Sequence, residues 1–220
     1  MPHDLILAGG RVIDPATGTD RVADVAFAGG RIAAVGVNLA AAGAAEVVDV
    51  AGAIVTPGLI DLHTHVYWGG TSLGVNPDSY AAGSAITTLI DTGSAGPGNF
   101  AGFRAHVIAA AETRILAYLH VSFAGIFGFS RTIMVGESHD MRLMAAREAA
   151  EVARGHPDTI IGTKVRIGAH TSGPPGIAPL HVAPDFPQAP GLPILCPLHE
   201  SPACSRGGAP RPPPGRGPTH

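Results

Sequence analysis

Lysine is almost missing from this sequence: of 14 basic residues, 13 are arginine, and Lys164 is the one exception. Cysteine is nearly as scarce. Cys196 and Cys204 are the only two, too few for a disulfide framework and at a spacing that fits no zinc pattern, so both read as thiols. An excess of positive charge is absent too. The formal net charge of −3 leaves no basic stripe to neutralise phosphates, which argues against a nucleic-acid partner. Long hydrophobic runs are lacking: no stretch goes far enough without Gly or a polar residue to span a bilayer. The opening MPHDLILAGG has no positive n-region followed by an apolar h-region, so no signal peptide is expected. These absences predict a cytoplasmic protein without membrane partners.

What is present can build a core. Hydrophobic residues make up 45% of 220 residues, enough for one large domain or a domain plus a small one. Residues 1–56 read as a small β-rich domain, in which LILAGG, RVIDPATG, DVAFAGGRIAAVG and AEVVDVAGAIV alternate β-formers with turn residues. Gly29-Gly30 supplies the positive φ of a tight hairpin turn, and the block predicts a small antiparallel sheet. From Pro57 to 183, apolar strand-like runs at 58–66, 85–93, 114–122, 159–167 and, beyond them, 191–195 alternate with helix-like runs near 100–112 and 138–154. That alternation predicts βα units, a parallel sheet and strands buried on both faces. Ser138 is the expected N-cap of the second helix. Residues 184–220 hold 11 of the 20 prolines. After a last strand at 191–195 this Pro/Gly-rich tail shows no apolar periodicity and is predicted to be disordered.

The chemistry concentrates in PGLIDLHTHVYW, residues 57–68. Side chains two apart on a strand point the same way, so Asp61, His63 and His65 are expected on one face. Two imidazoles so placed can grip one metal ion, with Asp61 holding a ring N–H or a neighbouring turn. The competing reading is two unrelated histidines near a strand end. The strand's exit from the sheet, where α/β proteins keep their chemistry, favours the pair.

TPGLIDLHTHV resembles the first barrel strand of the amidohydrolase superfamily, and LILAGGRVIDPATG with VAFAGGRIAAVG resembles its small β-domain. The run TSLGVNPDSYAAGSAITTLIDTGSAGPGNF, with GTKVRIG later, is similar to the amidohydrolase/deacetylase branch, which includes dihydroorotase-like members. The likeness covers residues 4 to about 182. It implies an α/β fold: a (β/α)8 TIM-type barrel, here partial with about five of eight strands, after a small β-domain. It also implies a small-molecule substrate, and one or two divalent metals, usually zinc. The reaction implied is hydrolysis of a C–N bond (amide or cyclic amide) or an acyl ester, with metal-bound hydroxide attacking the carbonyl. N-acyl amino acid deacetylase and dihydroorotase-like activities are the examples.

The resemblance gives Lys164 a role. It falls in TIIGTKVRI, the fourth barrel-type strand, where the family carries a lysine carboxylated by CO2 whose carbamate bridges two metals. Only a primary amine that can shed its proton serves; arginine stays charged. The alternative is an ordinary surface lysine. The family's fifth-strand histidine is not matched: Pro197 stands there, with His199 two residues on as a weak substitute ligand. The sixth-strand histidine and the eighth-strand aspartate, the expected general base, are not found. The chain is therefore expected to be truncated. A non-catalytic remnant of such an enzyme, whose open edges allow aggregation or a homo-oligomer, is the alternative function.

Weaker candidates remain. Arg166, two from Lys164, could bind a substrate carboxylate bidentately or form a salt bridge within the barrel. Asp91 and Ser94 could touch substrate but suit a turn better. Tyr67 and Trp68 suit core packing more than a pocket mouth. His120 is expected to partner the backbone, and His106 and His139 to lie on helix surfaces.

Overall fold

The first β-rich run forms one long strand, β1 (His3–Asp14), around which the N-terminal sheet is assembled. The computed structural model describes residues 3–130, 132–168, 171–182 and 192–199. The chain divides into two units, Met1–Leu59 and Ile60–His220.

In the first unit, β1 pairs antiparallel with β2 (Thr19–Ala28), which pairs antiparallel with β3 (Arg31–Gly36). Ala28 faces Arg31 across a two-residue turn in which Gly29 and Gly30 have φ of 57° and 71°. Positive φ at both central positions matches the right-handed twist of the flanking strands, as the sequence predicts. The sheet is not purely antiparallel, however. Strands β4 (Ala44–Asp49) and β5 (Ile54–Val55) both run parallel to β1. Parallel pairing needs a crossover. The β2–β3 hairpin and the 37–43 link, with its 3₁₀ turn at Leu39–Ala42, supply one. Asp24 braces that path. Its buried carboxylate accepts the N–H of Gly9 at 2.9 Å, in the bulge of β1, and that of Leu39 at 2.8 Å.

The second unit opens with β6 (Leu59–Thr64), α1 (Pro77–Ala82) and β7 (Ile86–Thr92). Next come α2 (Phe100–Phe103), which runs on into a π-helical turn at Arg104–Ile108, and β8 (Arg114–His120). A small antiparallel pair follows, β9 (Gly128–Phe129) and β10 (Met134–Val135). The chain continues through α3 (Ala146–Gly155), β11 (Ile160–Lys164), β12 (Ile167–Gly168), α4 (Ala178–Val182), β13 (Ile194–Leu195) and β14 (Leu198–His199). The main sheet has the order β13-β11-β8-β7-β6. The pairs β7/β8, β8/β11 and β11/β13 are parallel. This is a five-stranded part of a (β/α)8 barrel with helices between strands. Leu89, Phe100, Phe103, Leu119, Ala149 and Ile160 meet in its core.

Several expectations are corrected here. The second predicted helix begins at Ala146, not after Ser138. Residues 141–143 form a 3₁₀ turn capped by Asp140, and Met144 is extended (ψ 107°) and bridges to Ser122, so the backbone is not helical before Ala145. The buried stripe of α3 is Ala146, Ala149, Ala150 and Ala153. Small side chains at helical spacing let α3 lie close on β8 and β11. Burial on both faces fails for β6. Leu59, Ile60 and Leu62 are 50%, 56% and 71% exposed, because β6 is the last strand of its sheet among the described residues.

Pro193 and Pro197 do not stop pairing. Their carbonyls accept the N–H groups of Thr163 and Ile167 at 2.9 and 3.2 Å, although neither proline has an N–H to give back. The predicted disorder of the tail falls outside the described residues, apart from 192–199. No helix among the described residues is long and apolar enough to cross a membrane.

Candidate active site

Strand β6 ends at Thr64, so His65 lies one residue beyond it rather than on a continuous face with His63 and Asp61. The two rings stand edge to face, centroids 5.5 Å apart. Asp61 holds backbone and phenol rather than an imidazole: it accepts the His63 N–H at 3.0 Å and the Tyr80 hydroxyl at 2.8 Å. His65 Nδ1 lies 3.1 Å from Ser94 Oγ, which leaves Nε2 as its other nitrogen.

Ser94 is positioned by the end of β7. Asp91, wholly buried, accepts the Ser94 N–H and the Val66 N–H, both at 2.8 Å. It thus ties the loops after β6 and β7 together. Burial pushes its carboxyl above the usual range, against the pull of the Ser94 and Val66 bonds and of Lys164. The turn reading of Asp91 and Ser94 is what the backbone displays, with Gly93 at φ 87° between them.

Lys164, at the end of β11, is 0% exposed. A Cβ on Gly93 would come within 2.6 Å of its Cδ and 3.2 Å of the His120 Cδ2. Only glycine leaves room there for the lysine stem to cross, and the positive φ adds a second reason. Lys164 Nζ lies 3.7 Å from Glu137 Oε1, with no hydrogen-bond partner. Burial lowers its pKa to about 8, with Arg166 adding to the effect and Glu137 and Asp91 opposing it. A surface lysine is excluded.

Arg166 Nη1 contacts the same Glu137 oxygen at 3.4 Å, and its guanidinium sits 5.1 Å from the centroid of the Phe129 ring. Its Nε and Glu137 Oε2 lack partners. The barrel salt bridge weighed for Arg166 is therefore present, and it leaves donor capacity over.

The three imidazoles near Lys164 are all held neutral. His65 is lowered to about 3, first by burial and then by Lys164, His63 and Arg166. His63 is lowered by burial, Lys164 and Arg166, with Asp61 opposing. His120, wholly buried, is lowered well below the usual value, by burial first and then by Lys164, Arg166 and His65. His120 and Lys164 are register partners on β8 and β11 and both pack on Gly93 after β7, while the His63 and His65 rings pair at the end of β6. Neutral imidazoles offer lone pairs, as metal binding requires.

Glu137 and His120 were passed over as ligands or charge partners in the sequence. His120 does partner the backbone: its Nδ1 accepts the Ser122 N–H at 2.9 Å. Glu137 precedes the expected N-cap Ser138 and carries no motif of its own in the sequence. His139 is half-buried and not on a helix; His106 is exposed. Tyr67 packs on Phe103, while Trp68 is 58% exposed. The side chain of His199 lies outside the described residues. Among the described residues, no group of three or more His, Cys, Asp or Glu side chains is placed to hold a metal ion. A cavity of about 350 Å³ lined by Asp78, Ile86 and Thr113 sits at the opposite end of the strands from Lys164, at the starts of β7 and β8.

No family model matches the chain. Known proteins do. A deacetylase of Agrobacterium fabrum is 33% identical over 174 residues, which is 79% of this chain and 42% of that protein. A dihydroorotase of Geobacter sulfurreducens is 54% identical over 63 residues, 29% of this chain and 15% of the relative. The crystal structure of a dihydroorotase superposes with a TM-score of 0.77 at 28% identity, over 90% of this chain and 52% of that one. The chain thus spans less than half the length of the curated deacetylase it matches.

Proposed function

Since the chain belongs to the amidohydrolase superfamily, we propose that it carries the His-x-His and lysine part of a metal-dependent site that hydrolyses amide, cyclic amide or acyl ester bonds in a small molecule. The observation that carries this reading is a wholly buried amine without a hydrogen bond, Lys164, at the strand ends where its register partner His120 also packs on Gly93.

His63 and His65 would hold the metal, with Lys164 as a carbamate. The donor set fits: neutral ring nitrogens and an amine that burial has brought to about 8, within reach of losing its proton. Zinc there would supply a water nucleophile at neutral pH and polarise the carbonyl. The chain's own groups do the rest. Asp91 fixes Ser94, and Ser94 orients His65 through Nδ1. Asp61 fixes the backbone at His63. Arg166, steadied by Glu137 and Phe129, keeps donors for a carboxylate on the substrate. This suits an N-acyl amino acid or a cyclic amide bearing a carboxylate. The domain reading follows the sequence: 1–56, 57–183 and the 184–220 tail.

The test is an assay of the purified chain with zinc and bicarbonate against N-acetyl amino acids and carboxylated cyclic amides. The expected result is turnover that Lys164→Ala abolishes together with metal binding. No turnover and no bound metal would instead support the non-catalytic remnant.

A further inference from the structure

Two buried donors without a hydrogen bond lie on neighbouring strands at Lys164. One is its own Nζ. The other is His120 Nε2, in a ring that is 0% exposed. A backbone N–H can only donate, so the Ser122 N–H on His120 Nδ1 fixes the neutral tautomer with its proton on Nε2. Ser122 is itself held, its hydroxyl donating to the Gly136 carbonyl, so the N–H that orients the ring is fixed in place. His120 and Lys164 are register partners on β8 and β11. Gly93 lies against Lys164 Cδ and against His120 Cδ2, the carbon bonded to Nε2. A buried N–H with no acceptor is costly, and an ammonium cannot satisfy it, having donors only.

Carboxylation removes that mismatch. The neutral amine's lone pair forms an N–C bond to CO2, one C=O electron pair moves onto oxygen, and an amine proton leaves to water. The product is a carbamate monoanion, which puts two acceptor oxygens on a side chain that had none.

We propose that His120 is a positioning residue for this modification: its Nε2–H donates to a carbamate oxygen on Lys164 and holds the modified side chain in place. The proposal rests on the reading of Lys164 as carboxylated.

The test uses the full chain, freed of metal with a chelator so that no ion holds the carbamate, and titrated with carbon-13 bicarbonate under NMR. The reading of Lys164 itself requires a carbamate carbonyl signal in the wild type that Lys164→Ala lacks. If the wild type gives no such signal, carboxylation is wrong and the His120 role falls with it. If the signal is present, His120→Phe is expected to raise the half-saturating bicarbonate about tenfold, the loss of one charge-assisted hydrogen bond. His120→Gln, which keeps an N–H donor, is expected to recover most of that loss. A folded His120→Phe protein with unchanged bicarbonate dependence overturns the proposal. Should that variant not fold, the wild type decides. With nitrogen-15 histidine, the His120 Nε2–H resonance is expected to move on carbamate formation and to stay still in Lys164→Ala. An unmoved resonance while the carbamate forms overturns the proposal.

Discussion

At the residue scale, Gly93 and Glu137 carry more than their positions in the sequence suggest. Gly93→Ala combines a left-handed backbone with a Cβ 2.6 Å from Lys164 Cδ. A loss of about 2–4 kcal/mol in a denaturant melt is expected. In the uncarboxylated protein, Glu137→Gln leaves the buried Lys164 ammonium and the half-buried Arg166 guanidinium facing a neutral group. That should cost about 3–5 kcal/mol by the same measurement. Acid adds a third prediction. His65 and His120 stay neutral in the fold while the unfolded chain protonates them. The unfolded state therefore binds more protons below the ordinary value of 6.5, and stability falls as pH drops from there toward 3. Thermal melts across that window should show the decline, and His65→Gln should flatten it. Sequence alone made Lys164 and the His-x-His pair visible, through uniqueness and spacing. It could not reveal Glu137 or the free nitrogen of His120, because both depend on which groups fold around them, not on pattern.

Elements were legible where periodicity and turn chemistry coincide. The Gly29-Gly30 hairpin and the strand alternation are local signals, and replacing both glycines with alanine should cost about 1–2 kcal/mol at each position, read by thermal melts. The start of α1 carries a plain mark that went unused: Asn76 caps it by accepting the Ser79 N–H at 3.0 Å, with Pro77 at the first helical position. What misled was the 138–145 stretch. Its Met and Leu residues imitate a helical stripe, yet Met144 is drawn into a bridge with Ser122 and the helix must wait for the alanines. Parallel pairing of β4 with β1 was equally hidden, since strand direction is set by the path between strands rather than by the residues within them.

For the whole molecule, the β6 margin sets behaviour in solution. Leu59, Ile60 and Leu62 are exposed on the last strand of the main sheet among the described residues, the arrangement that templates pairing with other chains. Leu62→Lys is expected to reduce light scattering of concentrated protein while leaving the melting temperature within about 1 kcal/mol equivalent, since little is packed there to lose. Burial of the one lysine side chain in this sequence has a practical outcome as well. On the uncarboxylated protein, acylating reagents too bulky to enter the fold should find no ε-amino target, so each acyl group gained at position 164 records an opening event. The chain comes with its own single-site clock for breathing, readable by peptide mass mapping against exposure time.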